Sequence, residues 1–273
     1  MEYKLICTDI DGTLLDTHKK LLPEVKESLR RAAGMGIRIA LVSGRMPSGV
    51  EVIERELGIA CIKACNAGTY IMMGDTCIGA SYLPDGMIRT MYREIACREG
   101  IPLWIFRERE WYVTGMDDFI EKETGYVLYT PEIIDAEELA DLWEKEGKRP
   151  NKLLFAAAPE RIRQIHAKIT GWLCSEIDIA CSADTFLEIF PAGVNKGTAL
   201  RRICGELGIG TEQVIAFGDH ELDIPLIETA GEGIAMGNAI AELKERADFV
   251  TKSNNKAGIA FALERYLYSD FRL

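Results

Sequence analysis

Short apolar runs alternate with helix-period segments at both ends of this chain, and the alternation breaks off in between. An apolar run from Leu5 reads as a buried strand. Leu22 to Met35 then carries Val25, Leu29, Ala32 and Ala33 at helical spacing and stops at Gly34 and Gly36. Ile37–Val42 is a second strand, Pro47–Leu57 a helix closed by Gly58, and Ile59–Ala64 a third strand. Strands separated by helices cannot pair as hairpins, so they form parallel βαβ units in a doubly wound sheet. From Tyr70 the pattern changes to short β pieces, paired strands at Leu103–Phe106 and Trp111–Thr114, and helices at Pro84–Arg98, Met116–Glu123, Ala136–Glu146 and Pro159–Trp172. After Pro191 the first pattern returns, with a helix at about Asn195–Leu207, a strand Gln213–Phe217 and a helix from about Leu222 to Thr229. The expected fold class is α/β: a doubly wound, mostly parallel sheet with an inserted α+β module. The core would comprise residues 1–82 and 189–273, and the insert 83–188.

Sheets of this kind bind ligands outside the carboxyl ends of their strands, and four segments fall there. The first strand runs into Asp9-Ile10-Asp11-Gly12-Thr13. Residues two apart on a strand share a face, so Asp9 and Asp11 are expected to point together, each raising the cost of ionising the other. A nearby cation or an acid/base division of labour would offset that cost, although Asp-Gly is also an ordinary turn signal. Ser43-Gly44-Arg45 ends the second strand, where a hydroxyl and backbone N–H groups suit a phosphate oxygen or simply make a turn. Lys196 lies just inside a helix whose N-cap is Asn195. The helix dipole disfavours a cation there unless an anion is shared between them; otherwise Lys196 is a solvated surface residue. Gly218-Asp219 opens another helix, with Asp223 four residues on, either beside Asp219 on one helical side or as a capping carboxylate. Four carboxylates converging with one lysine would repel a phosphate unless a hard divalent ion joined them. Mg²⁺, an oxygen-binding ion that commonly bridges carboxylates and phosphate, suits that set.

The rest of the composition narrows the partners. A net charge of −11 over 273 residues argues against nucleic acid, whose phosphates require a basic footprint. No apolar run approaches the roughly 18–20 residues needed to span a bilayer. Met1-Glu2-Tyr3-Lys4 leads directly into the first strand without a targeting leader. The 8 cysteines are scattered without a Cys-x-x-Cys pair, which fits buried thiols in a reducing compartment and leaves only a remote zinc site at Cys61 and Cys65. A cytoplasmic protein is the expectation; the net charge leaves a small phosphorylated metabolite open as substrate, and no segment specifies an oligomer.

These segments, in this order, resemble the haloacid-dehalogenase-like (HAD) phosphatases, in particular the Cof-type branch with a large inserted α/β cap. The likeness rests on Asp9-Ile10-Asp11-Gly12-Thr13-Leu14, Val42-Ser43-Gly44-Arg45 and Asn66-Ala67-Gly68. It continues through Leu187-Glu188-Ile189-Phe190-Pro191 to Lys196-Gly197, the Gly218-Asp219…Asp223 segment and Met236-Gly237-Asn238-Ala239. The resemblance implies a Rossmann-like HAD core and a two-step hydrolysis. Asp9 would be the nucleophile and form an aspartyl-phosphate, and Asp11 the general acid and base. Ser43, Gly44 and Lys196 would bind the phosphate. Mg²⁺ would be held by Asp9, the Asp11 carbonyl and Asp219, with Asp223 orienting its water. A phosphosugar mutase sharing the nucleophile, or a phosphosugar-binding sensor with weak turnover, remains open. One departure stands out: where the family usually has asparagine before the last aspartate, this chain has Leu222, with His220 or Asn254 as candidate compensating groups. In the insert, Trp104, Arg107, Arg109, Trp111 and Tyr112 gather around a hairpin, and ring packing is as good an explanation as substrate contact.

Overall fold

A computed structural model of the chain describes residues 2–171 and 175–268. Trp172, the expected end of one helix, lies outside them. The chain forms two compact units: residues up to Ser43 with Ile53–Gly79 and Asn195 onward, and Gly44–Val52 with Ala80–Val194. In chain order the strands are β1 (Leu5–Thr8), β2 (Arg38–Val42), β3 (Cys61–Cys65), β4 (Tyr70–Met73), β5 (Thr76–Ala80), β6 (Leu103–Arg107) and β7 (Glu110–Val113). They continue with β8 (Glu132–Ile133), β9 (Lys152–Ala156), β10 (Ile177–Ala183), β11 (Phe186–Pro191), β12 (Val214–Gly218), β13 (Glu232–Ala235) and β14 (Phe249–Val250).

The first unit is built on an 8-stranded sheet in the order β14-β13-β12-β1-β2-β3-β4-β5. The ladders from β14 through β3 are parallel, and β4 turns back antiparallel on β3. Every residue of β1, β3 and β12 is buried, as expected when helices cover both faces of a parallel sheet. The expected α/β class is therefore observed. Cys61 and Cys65 occupy opposite ends of β3 and are separated by about four strand steps of roughly 3.3 Å. They cannot ligate one ion, so the remote zinc option is withdrawn. Among the described residues no helix is long and apolar enough to cross a membrane.

The second unit has a 6-stranded sheet in the order β10-β11-β9-β6-β7-β8, antiparallel except between β7 and β8. Period-two alternation divides its side chains between two faces. Leu103, Ile105, Leu153, Phe155, Leu187 and Ile189 pack against helices through residues such as Ile88, Trp143 and Ile165. Trp104, Phe106, Trp111, Val113, Leu154 and Ala156 build a second core on the other face with Met46, Ile120 and Val127. The β6–β7 hairpin thus realises the ring-packing alternative. Trp104 and Trp111 are each 1% exposed with ring centroids 5.1 Å apart, while Tyr112 meets Trp143 edge-on across the other face. Arg109 pairs with Glu51, and Arg107 with Glu108.

Two expected helices begin or run differently. The Pro84–Arg98 segment starts at Met87, passes through a π-helical turn at Tyr92–Ala96 and ends at Gly100 in the left-handed region, φ 63°. The helix after Asp219 begins only at Ile224, because Pro225 suits a first helical turn but not an interior. A 3₁₀ turn over Glu221–Asp223 fills the gap. Trp104→Ala is expected to cost about 3–5 kcal/mol, the usual penalty for emptying a large buried aromatic site. Urea unfolding checks this, and a loss below about 1 kcal/mol would contradict the packing described.

Candidate active site

Adjacent parallel strands bring the sequence-predicted segments to one edge of the first unit. Asp9 follows β1, Ser43 follows β2, Asn66 follows β3 and Asp219 follows β12, so four neighbouring strands end in candidate site residues. The strand stops at Thr8, one residue before Asp9, whose N–H donates to the Phe217 carbonyl at 3.1 Å. Asp9 and Asp11 therefore sit on a turn rather than on two same-face strand positions. Asp9 is buried at 6% exposure, whereas the Asp11 side chain is 35% exposed and accepts from Lys19 Nζ at 2.6 Å.

The helix Lys196–Leu207 starts where expected. Asn195 accepts from the Thr198 N–H at 2.9 Å and Thr198 accepts from the Asn195 N–H in return, closing a capping box. Lys196 is not a surface residue; it is 5% exposed. Its ammonium donates to Asp9 Oδ1 at 2.6 Å and to Asp223 Oδ1 at 2.5 Å. The dipole conflict at the helix start is thus met by two carboxylates. Asp223 also fulfils the capping alternative, since its Oδ2 accepts from the backbone N–H groups of Asp219 (2.9 Å) and His220 (3.0 Å).

One carboxylate oxygen from each of Asp9, Asp219 and Asp223 lies within 4.8 Å of the others. The Asp11 carboxylate is outside this group. Against three clustered carboxylates stands one ammonium, and burial makes the imbalance costly. Burial is the largest cause that lifts Asp9 to about 8, opposed by Lys196 and reinforced by Asp223, Asp219 and, least, Asp11. Burial likewise lifts Asp219 to about 6, against a hydrogen bond from Thr13 Oγ1 at 2.6 Å. Lys196 is held above its ordinary range: burial pulls it down, but Asp223 and Asp9 outweigh that. The donor set fits a hard divalent cation. Lys196 bonds one oxygen of Asp9 and Thr13 one of Asp219, so each carboxylate has a second oxygen that could serve as a ligand. Asp223, with both oxygens engaged, is better suited to aligning its neighbours.

Glycines make this packing feasible. Gly12 has φ +89°, and a Cβ there would lie 2.3 Å from Asp219 Oδ2; at Gly218 it would lie 2.3 Å from the Cβ of Asp223. Ser43 is 2% exposed, its N–H bonded to the Ala64 carbonyl and its carbonyl to the Ala67 N–H. Asn66, Ala67 and Gly68 follow with φ of 51°, 61° and 91°. Gly44 falls in the second unit, where its carbonyl accepts from Lys152 Nζ at 2.7 Å. Leu222 is half-buried on the 3₁₀ turn. Asn254 is committed elsewhere, donating to the Leu15 carbonyl and accepting from the Asn255 N–H, both at 2.9 Å. His220 Nδ1 is buried without a hydrogen-bond partner among the described residues. Sequence reasoning assigned no role to Thr13, Lys19 or Asn238, whose amide holds the Gly12 carbonyl at 2.8 Å. Thr13 and Asn238 lay inside recognised motifs, Lys19 outside them.

The chain matches the haloacid dehalogenase-like hydrolase family over residues 6–263. It belongs to that family. The Bacillus subtilis protein YxeH, whose name assigns it provisionally to the phosphatases, is 32% identical over 267 residues, covering 96% of this chain and 97% of that one. The 5-amino-6-(5-phospho-D-ribitylamino)uracil phosphatase YwtE of the same organism is 28% identical, covering 98% and 99%. A haloacid dehalogenase-like hydrolase from Bacteroides thetaiotaomicron has the same fold in its crystal structure. Its TM-score is 0.87 at 28% identity, covering 97% of this chain and 100% of that one.

Raised folded pKa values mean that the metal-free fold binds more protons than the unfolded chain from about pH 4 up to about 6 for Asp219 and about 8 for Asp9. Its stability therefore falls as pH rises through that window. Asp219→Asn keeps an acceptor for Thr13 and removes one charge, so its metal-free Tm is expected to equal or exceed the parent's at pH 8. The parent is expected to gain Tm on addition of a divalent cation such as Mg²⁺, and that gain should be largely lost in the variant. Differential scanning fluorimetry checks both, and a lower metal-free Tm with an intact Mg²⁺ response would refute the electrostatic account.

Proposed function

We propose that this hydrolase cleaves small phosphorylated metabolites, such as sugar phosphates, as a Mg²⁺-dependent phosphatase working through an aspartyl-phosphate. Its enzyme class is phosphoric monoester hydrolase, as with the full-length relatives named phosphatases. The observation that carries the reading is the buried Lys196 ammonium between Asp9 and Asp223, with Asp219 completing a cation-sized carboxylate cluster.

Asp9 attacks phosphorus, since it is the carboxylate at the strand end that Lys196 fixes by one oxygen. Asp11, more exposed and outside the cluster, gives a proton to the leaving alcohol and then takes one from the water that opens the acyl phosphate. Ser43, Gly44 and Lys196 hold the transferring oxygens and offset the charge that builds on them. Asp9, the Asp11 carbonyl and Asp219 would hold Mg²⁺, which would supply positive charge to offset these carboxylates and the phosphate. Asp223 aligns Lys196 and the Asp219 turn, and would thereby orient water bound to that ion. A cytoplasmic location fits the free thiols of the described cysteines.

Asp9→Asn is expected to lower kcat by at least about a thousandfold while the protein stays folded. A screen of phosphorylated metabolites with and without Mg²⁺ measures it, and parental turnover by the variant would remove Asp9 from the chemistry. Apparent Mg²⁺ affinity should strengthen about tenfold or more from pH 6 to pH 8, because the ion displaces protons from Asp9 and Asp219. Leu222→Asn should improve Mg²⁺ affinity or turnover by about tenfold, the usual scale for a supporting amide. No gain in either quantity would show that the leucine costs nothing.

A further inference from the structure

The aromatic face of the second unit's sheet carries two charges that an apolar core does not require. Lys152 and Glu188 are 2% and 3% exposed. Lys152 stands opposite Phe106 and Glu188 opposite Leu154, so both point to the face lined by Trp104, Phe106 and Leu154. Their closest approach is 3.4 Å, from Lys152 Nζ to Glu188 Oε1, which also accepts from Ser182 Oγ at 2.8 Å. Glu188 Oε2 is buried with no hydrogen-bond partner among the described residues.

A buried ion pair seldom stabilises a fold more than packed apolar residues would, so stability is a poor reason for this one. Its contacts give a better one. The shorter bond of Lys152 runs to a backbone, the Gly44 carbonyl at 2.7 Å, while its ammonium lies 4.7 Å from the Phe106 ring centroid. The Glu188 carboxylate rests against the same residue: a Cβ on Gly44 would come within 3.3 Å of Oε1 and 3.7 Å of Oε2. Gly44 is thus bonded at its carbonyl by an ammonium and packed at its Cα against a carboxylate. Glycine is the residue whose backbone loses most freedom on being fixed. Ser43, the residue before it, is already anchored by Ala64 and Ala67.

We infer that Lys152 and Glu188 are positioning residues for the Ser43-Gly44 turn, setting the Gly44 peptide so that the turn can receive phosphoryl oxygens. This rests on the reading of that turn as the phosphate-binding segment. Each acts through Gly44. Such a role predicts an effect on every phosphate ligand, whatever alcohol it carries.

The test uses the full chain with Mg²⁺ and compares the parent with Lys152→Met, Glu188→Gln and the double variant. Inorganic phosphate is the first probe, by inhibition and by equilibrium titration. p-Nitrophenyl phosphate and a hexose 6-phosphate are two esters with unlike leaving groups. The expected result is a rise of about tenfold in the phosphate Ki and in both KM values, by a common factor, with a smaller fall in kcat. The double variant should be no worse than Lys152→Met, because the two residues act as one unit. An unchanged phosphate Ki overturns the proposal. A change confined to one ester also overturns it and assigns the pair to the leaving group instead. If Lys152→Met does not fold, Ser182→Ala loosens Glu188 without stranding a charge and should raise the phosphate Ki about threefold; no rise there overturns the proposal equally. Asp9→Asn, assayed alongside, separates the two levels. Its turnover tests the nucleophile, whereas the titrated phosphate affinity of the Lys152 and Glu188 variants tests the turn.

Discussion

One ammonium organises the active end of the first unit. Lys196 enters the interior from the start of its helix and bonds Asp9 on one side and Asp223 on the other. The pairing joins three parts of the chain, the turn after β1, a helix start and the turn after β12. It is charge-assisted at every contact, in surroundings where an unpaired charge would be expensive. Yet it does not balance the site. With Asp219 included, three clustered carboxylates face one lysine among the described residues, and burial first, then the neighbouring carboxylates, push Asp9 and Asp219 upward. A site built to receive a divalent ion and a phosphate would look unbalanced in this way before either arrives.

The sheet explains how residues so far apart meet. In the order β12-β1-β2-β3, four consecutive parallel strands deliver their carboxyl ends side by side. Close approach then depends on the absence of side chains. Gly12 lets the Asp219 carboxylate lie against the turn after β1, and Gly218 gives Asp223 room to fold back on its own backbone. At Gly197 a Cβ would fall 2.4 Å from the Pro225 carbonyl, so the lysine helix can abut the segment carrying Asp223 only with glycine there. The glycines beside the acidic residues therefore set distances as much as they make turns.

Much of this was legible in the sequence, because strand–helix alternation and the residues at strand ends are local patterns. Asp9, Lys196, Asp219 and Asp223 were all identifiable from such positions, and the structure brings them together. Contacts that no local pattern encodes were not identifiable. Thr13 bonds a carboxylate 206 residues away, and Asn238 holds a carbonyl 226 residues away. The late helix start at Ile224 follows from Pro225, a signal present in the sequence but outweighed there by the spacing of Asp219 and Asp223. Lys152 and Glu188 were hidden for the opposite reason. They sit within strands whose other residues are apolar, and only the register shows that they share a buried face.

The two aspartates of the first motif also part company. Asp11 contributes least to the upward pressure on Asp9, behind burial, Asp223 and Asp219. Crowding within the Asp-x-Asp pair is therefore a minor influence, and the motif is not chiefly an electrostatic couple. Ending β1 at Thr8 separates the pair: one carboxylate goes inward to Lys196 and the other outward to Lys19. Covalent attack and proton transfer ask different things of a carboxyl group. The first requires an oxygen fixed and ionised in a closed charge cluster; the second requires a group that exchanges protons with water and a leaving alcohol. On the proposed mechanism, a two-residue spacing across a turn would meet both requirements. It keeps the groups adjacent in the chain and places them in environments of unlike charge and exposure.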